Sequence, residues 1–573
     1  MKTPSQQQYH DHSGSMARNS RLVAICVLVS RITGFGRIAV TAAVLGPTYF
    51  GNLFQFATVI PGLIYNLLSG SLISAILIPP LVRCLDRNDQ KAAGRVADGL
   101  LGSLLAIFLV VIVAGSLGAP ILVSAMTSAV QDPQIRHAQL RVGPLLLAML
   151  LPQLVFYAVG SVSIAVQQAH GRFGLPAAGQ AVENLATIAV MVVSAAVYGT
   201  GTEMRDLSQG QLALLGLGTT AAVALSALLQ WLGAWRAGLR PVPVHRWKDP
   251  EIQRLLRLGV PSLGYTGLSM LVYFAMLAAA GSVPGGVVAY QITNNLIQFP
   301  IALTAGSLAA VQLPQLSRLF DNGQLQEFAA TYRSALRVVI FLLLPTSLLL
   351  VTIPHSLAEA VAFGAMAGPA GVSLIAACLG GRGLGAVGEA MIVLGTSASY
   401  ARRDAVYPLV TMTAVAFICG IGIALAQLVE QPSALIWSLG ATAAVSNSAA
   451  GLYLHCRQLR ALPRENGHGL THFCHEILAS GFAMGPAWIV AHYGYAIVAL
   501  PQQSIWIASA AIIASAGTYM AVQYARGCGE MAFILPASPL FLRRLNNRRK
   551  PPGGQLDLHS SGKNSGAFKR RPC

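Results

Sequence analysis

Apolar residues in this chain come in long, nearly unbroken runs. They do not show the three-and-four spacing of a half-buried helix or the alternation of a half-buried strand. The runs lie near 22–46, 51–82, 97–126, 142–168, 176–199, 211–235, 254–281, 285–317, 328–353, 369–398, 406–428, 433–455, 470–494 and 502–524. A helix needs ~20 apolar residues to cross a bilayer, so the pattern predicts about fourteen transmembrane helices. The second and eighth runs are long and contain Pro61 and Pro300, which makes their ends the hardest to place.

The polar gaps between runs alternate in charge. Arg83, Arg87, Lys91 and Arg95 follow the second run, and Arg246, Lys248, Arg254 and Arg257 follow the sixth. Arg402 and Arg403 follow the tenth, and Arg457, Arg460 and Arg464 the twelfth. Odd-numbered gaps hold only Arg136, Arg141 and Arg205. Basic loops stay in the cytoplasm, so both termini are expected there. An even number of spans requires the same parity.

Composition agrees with a membrane protein. Charged residues are 10% of the 573-residue chain and apolar residues 54%; soluble domains usually carry about 25% charged residues. A net charge of +18 raises nucleic acid as a partner. Strict alternation of basic gaps excludes that reading, because it is the membrane pattern. The eight cysteines include no CxxC pair, which argues against a zinc or redox site. Residues 1–20 are polar and do not look like a cleavable signal. No GxSxG, HExxH or phosphate-loop signature is present, so neither an enzyme nor a cofactor is expected.

A short repeat suggests two halves. Ser74-Ala75-Ile76-Leu77-Ile78-Pro79-Pro80-Leu81-Val82-Arg83 ends the second run, and Ala309-Ala310-Val311-Gln312-Leu313-Pro314-Gln315-Leu316-Ser317-Arg318 ends the eighth. Ala, Pro, Leu and Arg recur without a gap. The expected architecture is an all-α polytopic membrane protein with two pseudo-symmetric six-helix lobes, 21–240 and 241–462. Two further helices follow in 463–527. A cytoplasmic tail is expected at 1–20, and a basic tail rich in Gly, Pro, Ser and Lys at 528–573. Repeats of this kind place a substrate site between them.

Ionisable residues inside apolar runs are the candidate chemistry, since each is costly in a bilayer. Arg31 and Arg37 flank Gly34 and Gly36 in the first run. Six residues apart, they sit on different faces of a straight helix. A glycine kink would turn both towards one cavity as a clamp for a phosphate or diphosphate. The alternative is that Arg31 pairs locally while Arg37 snorkels outward. Glu183 and Glu389 are candidates for ion or proton coupling, with Arg382 on the same face as Glu389 but seven residues away, too far along a straight helix to pair. His468, His472, His475 and Glu476 mark the start of the thirteenth run. They read as a hydrated helix entrance rather than a metal site.

Several motifs in order resemble the MurJ/MviN family of lipid II flippases, in the multidrug/oligosaccharidyl-lipid/polysaccharide exporter superfamily. Ser30 to Arg37 is similar to the family's SRxxGFxR in helix one. Pro61-Gly62-Leu63 with Ser74 to Arg83 resembles its second helix. Asn294 to Pro300 with Leu313 to Arg318 resembles its eighth, and Tyr400-Ala401-Arg402-Arg403-Asp404 its YARxD after helix ten. The resemblance covers about residues 20–460 and fits the last two helices less specifically.

The resemblance implies a fourteen-helix bundle in the bacterial inner membrane, with a lipid groove near helices thirteen and fourteen. It implies transfer of an undecaprenyl-pyrophosphate-linked glycopeptide between leaflets by alternating access, with membrane lipids and cell-wall synthesis proteins as partners. Arg31 and Arg37 would face the pyrophosphate. Other positions depart from the family. Tyr65 and Asn66 stand where helix-two arginines are common, and Asn294 and Asn295 where an acid and an arginine are. Asn52 aligns with an aspartate. Asn52, Asn66, Asn294 and Asn295 are therefore expected to bind substrate as amides, with weaker electrostatic pull. An exporter of another isoprenoid-linked glycan or of a drug, and a non-transporting membrane scaffold, are the alternative readings.

Overall fold

The computed structural model describes residues 25–26, 28–68, 70–244, 263–463, 469–497, 503–528 and 530–531. The expected N-terminal tail, the C-terminal tail beyond residue 531, the basic stretch Arg246 to Arg257 and His468 lie outside these residues, as does the side chain of His472. Helices account for nearly all that is described, and no strand occurs among the described residues.

The first half comprises α1 (Leu28–Leu45), α2 (Tyr49–Leu68), α3 (Gly70–Asp86), α4 (Gln90–Leu117), α5 (Ala119–Met126), α6 (Pro133–Leu150), α7 (Gln153–Ala169), α8 (Gly174–Tyr198) and α9 (Gln209–Arg236). The second comprises α10 (Leu263–Ala280), α11 (Gly286–Ile301), α12 (Ser307–Asp321), α13 (Leu325–Thr352), α14 (Pro354–Val361), α15 (Pro369–Arg382), α16 (Gly385–Ala401), α17 (Val406–Ala426) and α18 (Pro432–Ala461). The chain continues through α19 (Gly469–Ile497) and α20 (Gln503–Arg526). A π-helical turn, Ala302–Gly306, joins α11 to α12 just after Pro300. Proline has no N–H to donate, and the hydrogen-bond register slips there.

Ten helical stretches among the described residues are long and apolar enough to cross a membrane, or eleven if the bent pair α15–α16 is one span. The predicted second, seventh and twelfth spans map to α2–α3, α10 and α18. The apolar stretch of α10, Gly264–Ala280, falls just short of that length, and α18 is diluted by Ser446, Asn447 and Ser448. Outward faces are strongly apolar: Leu117 is 79% exposed and Ile121 78%. Such a surface needs hydrocarbon rather than water around it.

Three acidic residues of the loops start helices. Asp89 accepts from Ala92 N at 2.8 Å ahead of α4, Asp132 from Gln134 N at 2.8 Å ahead of α6, and Asp404 from Val406 N at 3.0 Å ahead of α17. Each satisfies an orphan N–H of a first turn. The sequence repeat has a matching local structure. Leu81 and Leu316 are both buried, Arg83 and Arg318 both lie in a last turn, and Asp86 and Asp321 end their helices.

Helix packing brings the two halves of the chain together at α2, which touches both α10 and α11. Elsewhere α9 carries α7 and α8, α18 carries α15 and α16, and the α19–α20 pair docks on α13. The α1–α2 corner is clasped by the α10–α11 loop. Asn52 Nδ2 donates to Val283 O at 2.6 Å, and Val287 N donates to Asn52 Oδ1 at 3.0 Å. Tyr49 Oη donates to Ser282 O at 3.2 Å. Gly285 has φ +77°, and a Cβ there would sit 2.4 Å from Pro47 Cα, so only glycine closes this contact.

Asn52→Ala leaves the buried Val287 N–H without its acceptor. The expected loss is about 1–3 kcal/mol of stability. Thermal unfolding of the purified protein in detergent checks it, and a midpoint equal to wild type would show that the clasp is not held by Asn52.

Candidate functional site: a central cavity with two ion pairs' worth of charge

A cavity of about 850 Å³ is lined along α2 from Phe54 to Asn66, along α8 from Pro176 to Met191 and along α11 from Tyr290 to Gln298. Its wall takes residues from α1, α2, α7, α8, α9, α10, α11, α15, α16, α17 and α18. Carboxamides and hydroxyls dominate the polar part. Among the described lining residues four side chains are formally charged: Arg37, Arg382, Glu183 and Glu389. Two charges of each sign leave the wall neutral overall, where a cationic cavity was expected.

The structure separates Arg31 from Arg37. α1 runs as a helix through both positions. Arg37 lines the cavity, whereas Arg31 is exposed and lies outside the lining. The helix is unbroken at Gly34 and Gly36. A Cβ on Gly34 would meet Asn184 Nδ2 at 3.3 Å, so this glycine lets α8 approach, whereas a Cβ on Gly36 would make only an ordinary contact with Ile188 at 3.8 Å. Asn184 Nδ2 uses that approach to donate to Ser30 O at 3.2 Å. Glu183, one residue earlier on α8, feels the positive charge of Arg37 and accepts a side-chain hydrogen bond from Gln180. Arg37 Nε is buried without a hydrogen-bond partner among protein atoms.

The asparagines divide. Asn66, Asn294 and Asn295 line the cavity, and Asn295 Nδ2 donates to Gln291 O at 2.8 Å. Asn52 lies outside the cavity, with its amide spent on the clasp.

Glu389 lines the cavity and pairs with Arg382 at 3.5 Å. This corrects the expectation that seven residues keep them apart. α15 and α16 meet at a 54° bend between the two residues, which shortens the path a straight helix would impose. Glu389 also accepts from Gln298 Nε2 and, at 3.3 Å, from Asn447 Nδ2. Arg382 is 6% exposed and sits over the ring of Tyr290 at 5.1 Å. Sequence reasoning noted Arg382 only as a neighbour. The signal for it was the one used for Arg37, an arginine in an apolar run, and the run Gly380-Gly381-Arg382-Gly383-Leu384-Gly385 marked the bend.

At α19, His475 is exposed as expected of a hydrated entrance, but Glu476 is fully buried. Tyr519 Oη donates to its carboxylate at 2.6 Å, Gln523 Nε2 also donates, and Arg526 lies 3.6 Å away. A carboxylate enters a helix interface only when donors meet it there, and α20 supplies them. No group of three or more metal-ligating side chains occurs among the described residues.

The chain is similar in sequence to proteins described as lipid II flippases. A sequence model described as "Lipid II flippase MurJ" matches residues 41–513. The lipid II flippase MurJ of Burkholderia cenocepacia is 24% identical over 66% of this chain and 72% of its own length. A probable lipid II flippase MurJ of Rhizobium tropici is 24% identical over 69% and 72%. Among solved structures, an inward closed lipid II flippase MurJ superposes with a TM-score of 0.68 at 14% identity, covering 90% of this chain and 99% of that one. An inward-facing MATE multidrug transporter of the MOP superfamily superposes at 0.59 and 12%, covering 75% and 95%. Those superpositions establish a shared fold, and the sequence match over most of the chain establishes more: this protein belongs to the MurJ lipid II flippase family.

Proposed function

We propose that this protein moves lipid II, the isoprenoid-diphosphate-linked peptidoglycan precursor, from the inner to the outer leaflet of the bacterial cytoplasmic membrane. The observation that carries the reading is a polar cavity of about 850 Å³ inside an apolar helical bundle, with Arg37 on its wall. A diphosphate head group cannot cross hydrocarbon unaided, since desolvating an ion costs many kcal/mol. A polar chamber that opens first to one leaflet and then to the other removes that barrier. Transport needs no bond to be made or broken, and we read the protein as a transporter without enzymatic activity.

The reading includes fourteen spans and both termini in the cytoplasm, supported by the alternation of basic loops. Residues 21–240 and 241–462 act as two lobes that rock about the cavity, as repeat-built transporters do. α19 and α20 form an appended pair. Arg37 meets the diphosphate; Asn66, Asn294 and Asn295 meet uncharged parts of the head group; Glu183 and Glu389 exchange ions or protons. Arg31 and Asn52 act outside the cavity.

The test is genetic. Expression of the wild-type chain is expected to restore growth and surface-exposed lipid II in a bacterium depleted of its own flippase. Correct membrane insertion without restored lipid II export would overturn the assignment and favour another isoprenoid-linked cargo.

A further inference from the structure

Arg382 is a buried arginine with two of its three side-chain nitrogens unused by the protein. Its side chain is 7% exposed and lies on the cavity wall. One nitrogen, Nη2, faces Glu389 at 3.5 Å. The other two, Nε and Nη1, are buried without a hydrogen-bond partner among protein atoms. A guanidinium carries five N–H donors in a fixed fork. Leaving buried charged donors unsatisfied costs more than the ~1–3 kcal/mol of a neutral group. The pair with Glu389 is also loose. Charge-assisted N–H to O bonds run about 2.7–2.9 Å, and the exposed Arg403–Asp321 pair in this protein reaches 2.7 Å.

Glu389 has other holds. Gln298 and Asn447 both donate to its carboxylate, from α11 and α18. It keeps two neutral donors if Arg382 turns away. Arg382 keeps the face of Tyr290, which supports a cation through its ring electrons. Each partner is thus equipped to separate from the other without being stranded.

We propose that Arg382 is a second anion-binding residue of the cavity and that Glu389 is its built-in competitor, a carboxylate that the diphosphate of an isoprenoid-linked substrate displaces. The inference rests on the flippase reading and adds to it a residue and a mechanism of exchange. In the empty cavity Glu389 neutralises Arg382 and lowers the cavity's pull on stray anions. A diphosphate, with more charge and more acceptor oxygens than one carboxylate, takes Nη2 from Glu389, and the guanidinium turns to bring its buried Nε and Nη1 to the same oxygens. Arg37 on α1 and Arg382 on α15 then hold the same head group from the two halves of the chain.

The experiment measures farnesyl diphosphate binding to the full-length protein in nanodiscs by calorimetry, with farnesol as the uncharged control. Glu389→Gln removes the competitor and is expected to tighten farnesyl diphosphate binding by about tenfold, while Arg382→Gln weakens it by about tenfold. The double variant behaves as Arg382→Gln alone, and farnesol binding is unchanged throughout. Unchanged or weaker binding by Glu389→Gln overturns the proposal, as does Arg382→Gln that binds like wild type or wild type that does not bind farnesyl diphosphate. If Arg382→Gln fails to fold, Glu389→Gln alone decides. The binding pattern without rescue of a flippase-depleted strain removes lipid II as cargo and keeps the exchange. Rescue without the pattern removes the exchange and keeps the cargo.

Discussion

Arg37→Gln is expected to fail to rescue a flippase-depleted bacterium, whereas Arg31→Gln rescues it. The cavity wall holds two arginines and two glutamates among its described residues, so removing Arg37 takes the wall from neutral to a net charge of minus one. The diphosphate then meets net repulsion in a low-dielectric space, where charges act strongly. Loss of one charge-assisted contact alone is worth about 1.5–3 kcal/mol, or roughly ten- to a hundredfold in binding. Glu183 also loses the positive charge acting on it. Arg31 contributes nothing to the wall. Both variants are compared at equal membrane abundance, with lipid II exposure as the readout. Full export by Arg37→Gln, or equal failure by both, would remove Arg37 from its proposed role.

Gly388→Leu is expected to destabilise the protein and to disturb Glu389 with it. α16 lies so close to α18 that a Cβ on Gly388 would sit 2.4 Å from Ser448 Cα and 2.6 Å from Ser448 N. Gly385 has the same relation to Ala444 Cα at 2.6 Å, and Gly381 to Trp437 O at 2.2 Å. Backbone cannot yield as a side-chain tip can. Overpacking of this kind costs about 1–3 kcal/mol, and more when the obstacle is main chain. Gly388 adjoins Glu389 and its contact Ser448 adjoins Asn447, so parting α16 from α18 lengthens the Glu389–Asn447 bond as well. Gly420→Leu is the control, since nothing lies within 4 Å of a Cβ there. Heat stability of the detergent-solubilised protein separates the two. A Gly388→Leu midpoint equal to that of Gly420→Leu would show that α16 and α18 can move apart freely.

Membrane class, approximate spans and the matched ends of α3 and α12 were legible in the sequence because each depends on residues close together in the chain. A run of Val, Leu and Ile has its hydrophobicity wherever it folds, and Pro79 and Pro314 mark their helices locally. The candidate ionisable residues were legible too, since an intramembrane charge is costly in any arrangement. The use made of them was not. Asn52 looked like a ligand by position, yet its amide is taken by Val283 and Val287, more than two hundred residues away. Six residues of straight helix put Arg31 and Arg37 on different faces, and only the way α1 packs in the bundle decides that Arg37 is the one on the wall. Glu389 and Arg382 looked too distant until the bend at residues 383–384 joined them. Hydropathy and charge pattern by themselves determine that this chain is a multi-span membrane protein with costly charges inside it. Tertiary structure decides which charges share a space, because direction and pairing are set by contacts between helices that no local stretch contains.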